Sequence, residues 1–232
     1  MSRLVLKLSG EALAGEKKRG FDLDTVRMVA AQVKALVDRG DEIGIVIGGG
    51  NFWRGRTGNE IDRVKSDQIG MLATVMNCIY VSEVFRTEGM ETEVLTPFAV
   101  GAFTKLFSKD LANECFANRK VVFFAGGTGN PYFSTDTGVV LRAVEIDAEA
   151  ILMAKNIDGI YDSDPAVNPA ARRYDKLSIQ DVIDQNLQAV DMTASILARD
   201  NHMPMRVFSL LEEDGIISAA SGSFNGTVIT VD

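Results

Sequence analysis

Apolar residues recur along this chain at two alternating periods, and together they predict an α/β protein built on a largely parallel sheet. Arg3-Leu-Val-Leu-Lys-Leu-Ser9 alternates as a strand does, with Leu4, Leu6 and Leu8 on one face and Val5, Lys7 and Ser9 on the other. Asp24–Arg39 places Val26, Val29, Val33, Leu36 and Val37 on one helical face, and Glu42–Ile47 is again strand-like. A long helical pattern follows from Lys65 to Arg86, with Ile69, Leu72, Ala73, Met76, Ile79 and Tyr80 at helical spacing. Its Met71/Met76 stripe predicts core or a subunit interface more than a ligand site. Next come a strand near Glu93–Leu95, a helix near Lys109–Asn118, the apolar strand Lys120–Ala125, a helix from Asp136 to Ile146 and the strand Ala150–Ala154. The rest predicts helices near Ile179–Gln185 and Asp191–Asp200, then strands near Met205–Phe208 and Thr227–Thr230 with a short helix between. No repeat or linker interrupts the pattern, and a soft boundary falls near Ala148.

Three strand exits are rich in glycine, and they change the picture from fold to chemistry. They are Lys7-Leu-Ser-Gly10, Gly48-Gly-Gly-Asn-Phe-Trp-Arg-Gly-Arg56 and Gly126-Gly-Thr-Gly-Asn-Pro-Tyr-Phe-Ser-Thr-Asp136. Ligands of open α/β sheets sit beyond the carboxyl ends of the strands. Glycines there let backbone N–H groups converge on an anion. Ser134, Thr135 and Asp136 suit the N-cap of the following helix, whose positive end favours phosphate. A lysine carried into a buried strand exit needs an anionic partner; the alternative ends the strand at Leu6 and leaves Lys7 solvated. Asp158-Gly159 between Ile157 and Ile160 reads as a tight hairpin turn. Neither a Gly-x-x-x-x-Gly-Lys-Ser/Thr loop nor a Gly-x-Gly-x-x-Gly after the first strand is present, which disfavours P-loop and dinucleotide-binding folds.

Composition narrows the chemistry. The 232 residues carry 24 basic and 32 acidic side chains, a net charge of −8 that argues against nucleic-acid binding. Arg54, Arg56, Arg63 and Lys65 nevertheless concentrate positive charge locally. The single histidine, His202, disfavours Ser-His-Asp hydrolysis and histidine-based zinc sites. Cys78 and Cys115 have no metal-ligand spacing and read as core thiols in a reducing, cytoplasmic setting. The first residues enter a strand without a signal-peptide pattern, and no apolar run approaches membrane-spanning length.

Several motifs, in this order, resemble the bacterial UMP kinases of the amino acid kinase superfamily. They are Lys7-Leu-Ser-Gly-Glu-Ala12, Gly48-Gly-Gly-Asn51 with Arg54-Gly55, Asp67-Gln-Ile-Gly-Met-Leu-Ala-Thr-Val-Met-Asn77, Thr128–Asp136, Asp158-Gly-Ile-Tyr-Asp-Ser-Asp-Pro165 and Ala198-Arg-Asp200. The resemblance covers essentially the whole chain. It implies a three-layer αβα sandwich forming one domain over 1–232, with a UMP side over roughly 1–148 and an ATP side over roughly 149–232. It implies transfer of the ATP γ-phosphoryl group to UMP, with Mg²⁺, giving UDP and ADP for pyrimidine nucleotide synthesis.

Carried over by position, Lys7, Arg54, Asp136 and Asp191 would be catalytic, Asp191 as the acidic group that orients the lysine. UMP would meet Gly49, Asp67 and the run Thr128, Gly129, Asn130, Pro131, Tyr132, Phe133, Ser134 and Thr135. ATP would meet Lys7, Leu8, Ser9, Gly10, Gly50, Arg54, Lys155, Asn156, Tyr161 and Asp164. Lys155 and Asn156 compete for one ATP contact. Many superfamily members place a second lysine late in the chain, but none follows Lys176 here, so Arg54 or Lys155 is left to take its role. The resemblance also implies a homohexamer with the Lys65–Arg86 helix as dimer contact, activation by GTP with Gly15–Gly20 as the effector loop, and inhibition by UTP. The competing readings are a superfamily kinase for a carboxylate or carbamate, and a non-catalytic nucleotide- or oxyanion-binding protein on the same scaffold.

Overall fold

The structure is a computed structural model that describes residues 1–17, 19–53, 61–185, 187 and 190–231. Its centre is β1 (Arg3–Leu8), paired in parallel with β2 (Glu42–Ile47) on one side and β6 (Ala150–Lys155) on the other. Outward from β2 lie β5 (Val121–Phe124), β3 (Thr92–Thr96) and the short β4 (Lys105–Leu106). Outward from β6 lie β10 (Met205–Ser209), β11 (Gly226–Thr230) and β9 (Lys176–Ser178). Every pairing in this sheet is parallel except that of β10 with β11. The carboxyl ends of β1, β2, β5, β6 and β10 therefore share one edge.

Strand alternation divides the core into two slabs. Leu4, Leu6, Leu8, Ile45 and Leu152 face α1 (Gly10–Leu13), α2 (Leu23–Arg39), α3 (Arg63–Thr87) and α8 (Gly215–Ser221). Val5, Val46, Ile151 and Met153 face α4 (Lys109–Ala117), α5 (Thr135–Glu145), α6 (Ile179–Asp184) and α7 (Met192–Asp200). Each fully buried leucine or isoleucine contributes about 2 kcal/mol of transfer free energy, so a register slip in β1 would forfeit both slabs at once. Local chemistry sets the helix ends. Asp22 accepts from the Thr25 amide at the start of α2, Gly40 closes that helix at φ 100°, and Ser178 with Asp181 forms a capping box on α6.

Helix α3 departs from expectation. Its spacing marks Ile69, Leu72, Met76 and Ile79 as one face with Ala73, yet these four are 39–51% exposed, and Met71 lines a cavity instead of the core. The face turned inward carries Thr74, Asn77, Val81 and Phe85. A helix that is apolar on nearly every side cannot announce its core face by periodicity alone. For the same reason α3 is long and apolar enough to span a bilayer by length and composition, which corrects the expectation of no such run. Its buried polar groups bond inside the protein, Asn77 to Asn51 and Ser82 to Thr92, as a core helix requires. The Asp158-Gly159 hairpin is also absent. Residues 156–159 form bends, and Ile160–Tyr161 (β7) pairs antiparallel with Arg173–Tyr174 (β8) across a longer loop. Arg173 packs where a Gly159 side chain would stand, so this glycine serves close approach and not a tight turn.

Cys78 and Cys115 are both buried free thiols, and burial pushes the Cys78 thiol up to about 12. A native sample at pH 8 is therefore expected to show negligible reaction with an aromatic disulfide reagent, and two thiols per chain after unfolding. Rapid reaction of one native thiol would contradict this packing.

Candidate active site

The β1 alternation that buries Leu6 and Leu8 on one slab turns Lys7 to the other, between Val46 of β2 and Met153 of β6. Its Nζ lies 3.0 Å from Oδ1 of Asp136, with the two side chains 13% and 18% exposed. Asp136 sits in the first turn of α5, whose N-cap is Ser134. Lys155, the last residue of β6, lies two positions beyond Met153 and so shares the face of Lys7. Burial holds its ammonium pKa below the usual lysine range. Asp136 opposes that shift, and Lys7 adds to it. One ammonium group thus pairs with a carboxylate at the helix N-terminus, and a second lies within the electrostatic reach of both. Such an arrangement favours the spread negative charge of a phosphoryl group.

Beside this cluster is a cavity of about 310 Å³. One wall is the turn after β2, with Gly49 and Gly50. A second is α3, through Asp67, Gly70 and Thr74, and the third is the loop from Gly127 to Asp136. A Cβ on Gly49 would meet the Gly70 carbonyl at 2.9 Å, and one on Gly10 would meet the Gly48 carbonyl at 2.4 Å. Glycine is what lets these strand exits close on one another. Gly126, Gly127 and Gly129 take positive φ of 79°, 59° and 82°, which folds the third loop back toward α3. The Gly126 amide donates to Thr74 Oγ1 at 2.8 Å, and the Tyr132 amide donates to Asp67 Oδ2 at 2.8 Å.

The expected residues fall into distinct positions. Gly49, Asp67, Thr128, Asn130, Phe133, Ser134, Thr135 and Asp136 line the cavity. Gly129, Pro131 and Tyr132 belong to the same loop but do not line the cavity, and Tyr132 is exposed. Asp67 also accepts from Arg63 Nε at 2.9 Å, and the Arg63 guanidinium stands over the Tyr132 ring. Asp191 caps α7 and accepts hydrogen bonds from Ser134 Oγ and from Thr137 Oγ1. The carboxylate that meets Lys7 is Asp136, so Asp191 braces the helix end that carries it. Leu8 is buried in the core and can offer a ligand only its backbone, whereas Ser9 and Gly10 stand where β1 turns into α1.

Lys155 and Asn156 point to opposite sides of the sheet. Asn156 is exposed and lines a second cavity of about 610 Å³ with Glu11, Lys17, Asp22 and Leu211. Tyr161 and Asp164 line neither cavity. The Tyr161 hydroxyl donates to Asp158, which also receives Arg173 at 2.6 Å, while Asp164 is exposed and caps the turn at Ala166. The Asp158 carboxylate holds the Tyr161 phenol pKa above its usual range. Arg54 and Arg56 lie outside the described residues.

Arg63, Trp53, Gly70 and Thr74 line the cavity without having been singled out as ligand contacts. The spacing of Asp67, Gly70 and Thr74 does place them on one helical face, a signal available in the sequence. Trp53 carries none, because its position depends on a bond from its indole N–H to Ser66.

Replacing Asp136 by Asn removes the carboxylate from the Lys7 ion pair. It should lower stability by about 3 kcal/mol, the scale for removing one partner of a buried ion pair. Urea unfolding measures this, and an unchanged midpoint would contradict the pairing.

A model of the amino acid kinase family matches residues 2–209. The solved structure of a UMP kinase from Bacillus anthracis is 37% identical, with a TM-score of 0.95 over 100% of this chain and 96% of that one. A UMP kinase from Ureaplasma parvum is 31% identical, with a TM-score of 0.93 over 99% and 98%. Residues, topology and full-length likeness together place the chain in the amino acid kinase family.

Proposed function

We propose that this protein is a UMP kinase, transferring the γ-phosphoryl group of ATP to UMP to give UDP and ADP. The observation that carries the reading is the Lys7–Asp136–Lys155 cluster beside the 310 Å³ cavity, in a chain alike over its full length to two UMP kinases. The acceptor phosphate needs no base. A phosphate monoester with a second pKa of about 6 is already largely dianionic at pH 7. Its oxygen attacks the γ-phosphorus, the bond to the ADP oxygen breaks, and the electron pair leaves with ADP. Catalysis then rests on alignment and charge stabilisation, which suits a chain whose single histidine lies exposed beyond α7.

The chain's own groups divide that task. Lys7 and Lys155 stabilise the transferred oxygens, with Asp136 holding the two ammonium groups in place. The backbone of Gly49 and Gly50 and the N-terminus of α5 receive phosphate. Asp67 accepts from the ribose hydroxyls, and the Thr128–Thr135 loop encloses the nucleoside. Lys155 is the group we assign to the position of the missing late lysine, since its strand parity brings it to the Lys7 face. Asn156, Tyr161 and Asp164 would bound the ATP side. Bound together with ATP, Mg²⁺ would supply charge neutralisation for the transferred phosphoryl group. Phosphate oxygens, water and one or two carboxylates normally hold it, and Asp136 is the carboxylate at hand. No group of three or more potential ligands occurs among the described residues.

The finer assignments belong to the same proposal. The UMP side spans roughly 1–148 and the ATP side roughly 149–232, and the protein acts in the cytoplasm. It assembles as a homohexamer, with GTP activating and UTP inhibiting. Support for the assembly comes from the exposed apolar face of α3, where Ile69, Leu72, Met76 and Ile79 form a surface suited to a second copy.

With Mg·ATP, coupled ADP release should be rapid with UMP and near background with AMP, glutamate or carbamate. Preference for glutamate or carbamate would overturn the reading. Lys7→Ala should lower kcat by about 10²–10³-fold, the scale of losing one preorganised charge contact. Wild-type turnover in that variant would remove Lys7 from the mechanism.

A further inference from the structure

The inward face of α3 carries a polar pair, Asn77 with Asn51, that lies against the strand exits and that the reaction has not used. Asn77 and Asn51 are among the most buried polar residues, 0% and 2% exposed. Their side-chain amides bond reciprocally, Asn77 Nδ2 to Asn51 Oδ1 at 2.8 Å and Asn51 Nδ2 to Asn77 Oδ1 at 3.1 Å. Each also reaches a loop. Asn77 Nδ2 donates to the Gly48 carbonyl at 2.7 Å, and Asn51 Nδ2 donates to the Gly20 carbonyl at 2.8 Å. Gly48 accepts there while its own amide donates to the Leu8 carbonyl of β1 at 3.0 Å. A Cβ on Gly10 would strike the Gly48 carbonyl at 2.4 Å, Asn51 Oδ1 at 2.5 Å and Asn77 Nδ2 at 3.1 Å. The amide pair thus fills the space where the exits of β1 and β2 converge.

Building a buried amide pair into a core costs desolvation that an apolar pair would avoid, so its return is directional. The direction here is the Gly48-Gly49-Gly50 turn. Gly49 and Gly50 line the cavity, and Gly48 is the residue that α3 holds. Asn77 stands ten residues after Asp67 and three after Thr74, on the same helical face. One helix face therefore fixes three parts of the site: Tyr132 through Asp67, Gly126 through Thr74, and Gly48 through Asn77.

We propose that Asn77 is a positioning residue for phosphoryl transfer, setting the Gly48–Gly50 turn against the Lys7 strand exit, with Asn51 as its brace. The inference rests on the phosphate-binding role given above to Gly49 and Gly50. Asn51 and Asn77 are equally buried and equal in volume, so a merely structural role predicts that Asn51→Ala and Asn77→Ala lower activity only as each lowers stability. A positioning role predicts a difference. Asn77→Ala removes the bond to Gly48, whereas Asn51→Ala leaves it. A displacement of about 1 Å in a catalytic loop can cost about 10²-fold in rate.

The test measures kcat and KM for UMP and ATP in both variants, beside urea midpoints and hydrogen exchange of the peptide spanning residues 44–53. Asn77→Ala should lose about 10²-fold in kcat with KM changed less than threefold, and its turn should exchange faster. Asn51→Ala should lose less than tenfold. Equal kcat losses that track the urea midpoints, or Asn77→Ala turnover within twofold of wild type, would overturn the proposal. If Asn77→Ala yields no folded protein, Asn77→Ser, one atom shorter than the reach to Gly48, replaces it in the same comparison. If the wild-type chain does not phosphorylate UMP, the reading of the function fails. Hydrogen exchange then decides the positioning claim alone, with faster exchange in the Asn77 variant only supporting it and equal exchange overturning it.

Discussion

The arrangement depends on one ion pair at the middle of the sheet, Lys7 of β1 with Asp136 at the start of α5. An ammonium group on a central parallel strand is expensive to bury unless an anion meets it. Asp136 supplies that anion from a neighbouring layer, and in doing so ties the N-terminus of α5 to the exit of β1. Lys155 arrives on the same face from β6, so positive charge exceeds negative within this triad. A phosphoryl group is the kind of ligand that preorganised positive charge at a helix N-terminus stabilises.

Around that pair, the fold works as a frame that brings loop ends together. Parallel pairing of β2, β1 and β6 sends three exits to one edge, and β1 lies between strands reached in opposite directions along the sheet. Helix α3 then locks the loops from the side through Asp67, Thr74 and Asn77. The opposite face of the same helix is apolar and exposed. Packing on that face and geometry in the site are therefore separated by only one helix diameter, about 10 Å.

Much of this was legible in the residues because two signals were strong. Period-two alternation in β1 and β2 and the glycine-rich exits placed Lys7, Gly49, Gly50 and Asp136 on one sheet edge. Parity along β6 separates Lys155 from Asn156 only once the last strand residue is known, so the two remained interchangeable in the sequence. Helix α3 misled for a physical reason: apolar residues cover most of its circumference, and the residues that face inward include Thr74 and Asn77, whose bonds to distant backbone carry no periodic signature. The Asp158-Gly159 turn failed similarly, since the demand for glycine there comes from Arg173, fourteen residues away in the chain.

Direct transfer between two nucleotides at the Lys7–Asp136–Lys155 cluster carries the proposed function. Phosphorus NMR of the purified chain with equimolar Mg·ATP and UMP tests it most directly. With direct transfer, the ATP γ-resonance and the UMP resonance decline together while UDP and ADP β-resonances grow in equal measure, with no inorganic phosphate released. Loss of the γ-resonance to inorganic phosphate, or an unchanged spectrum, would contradict it.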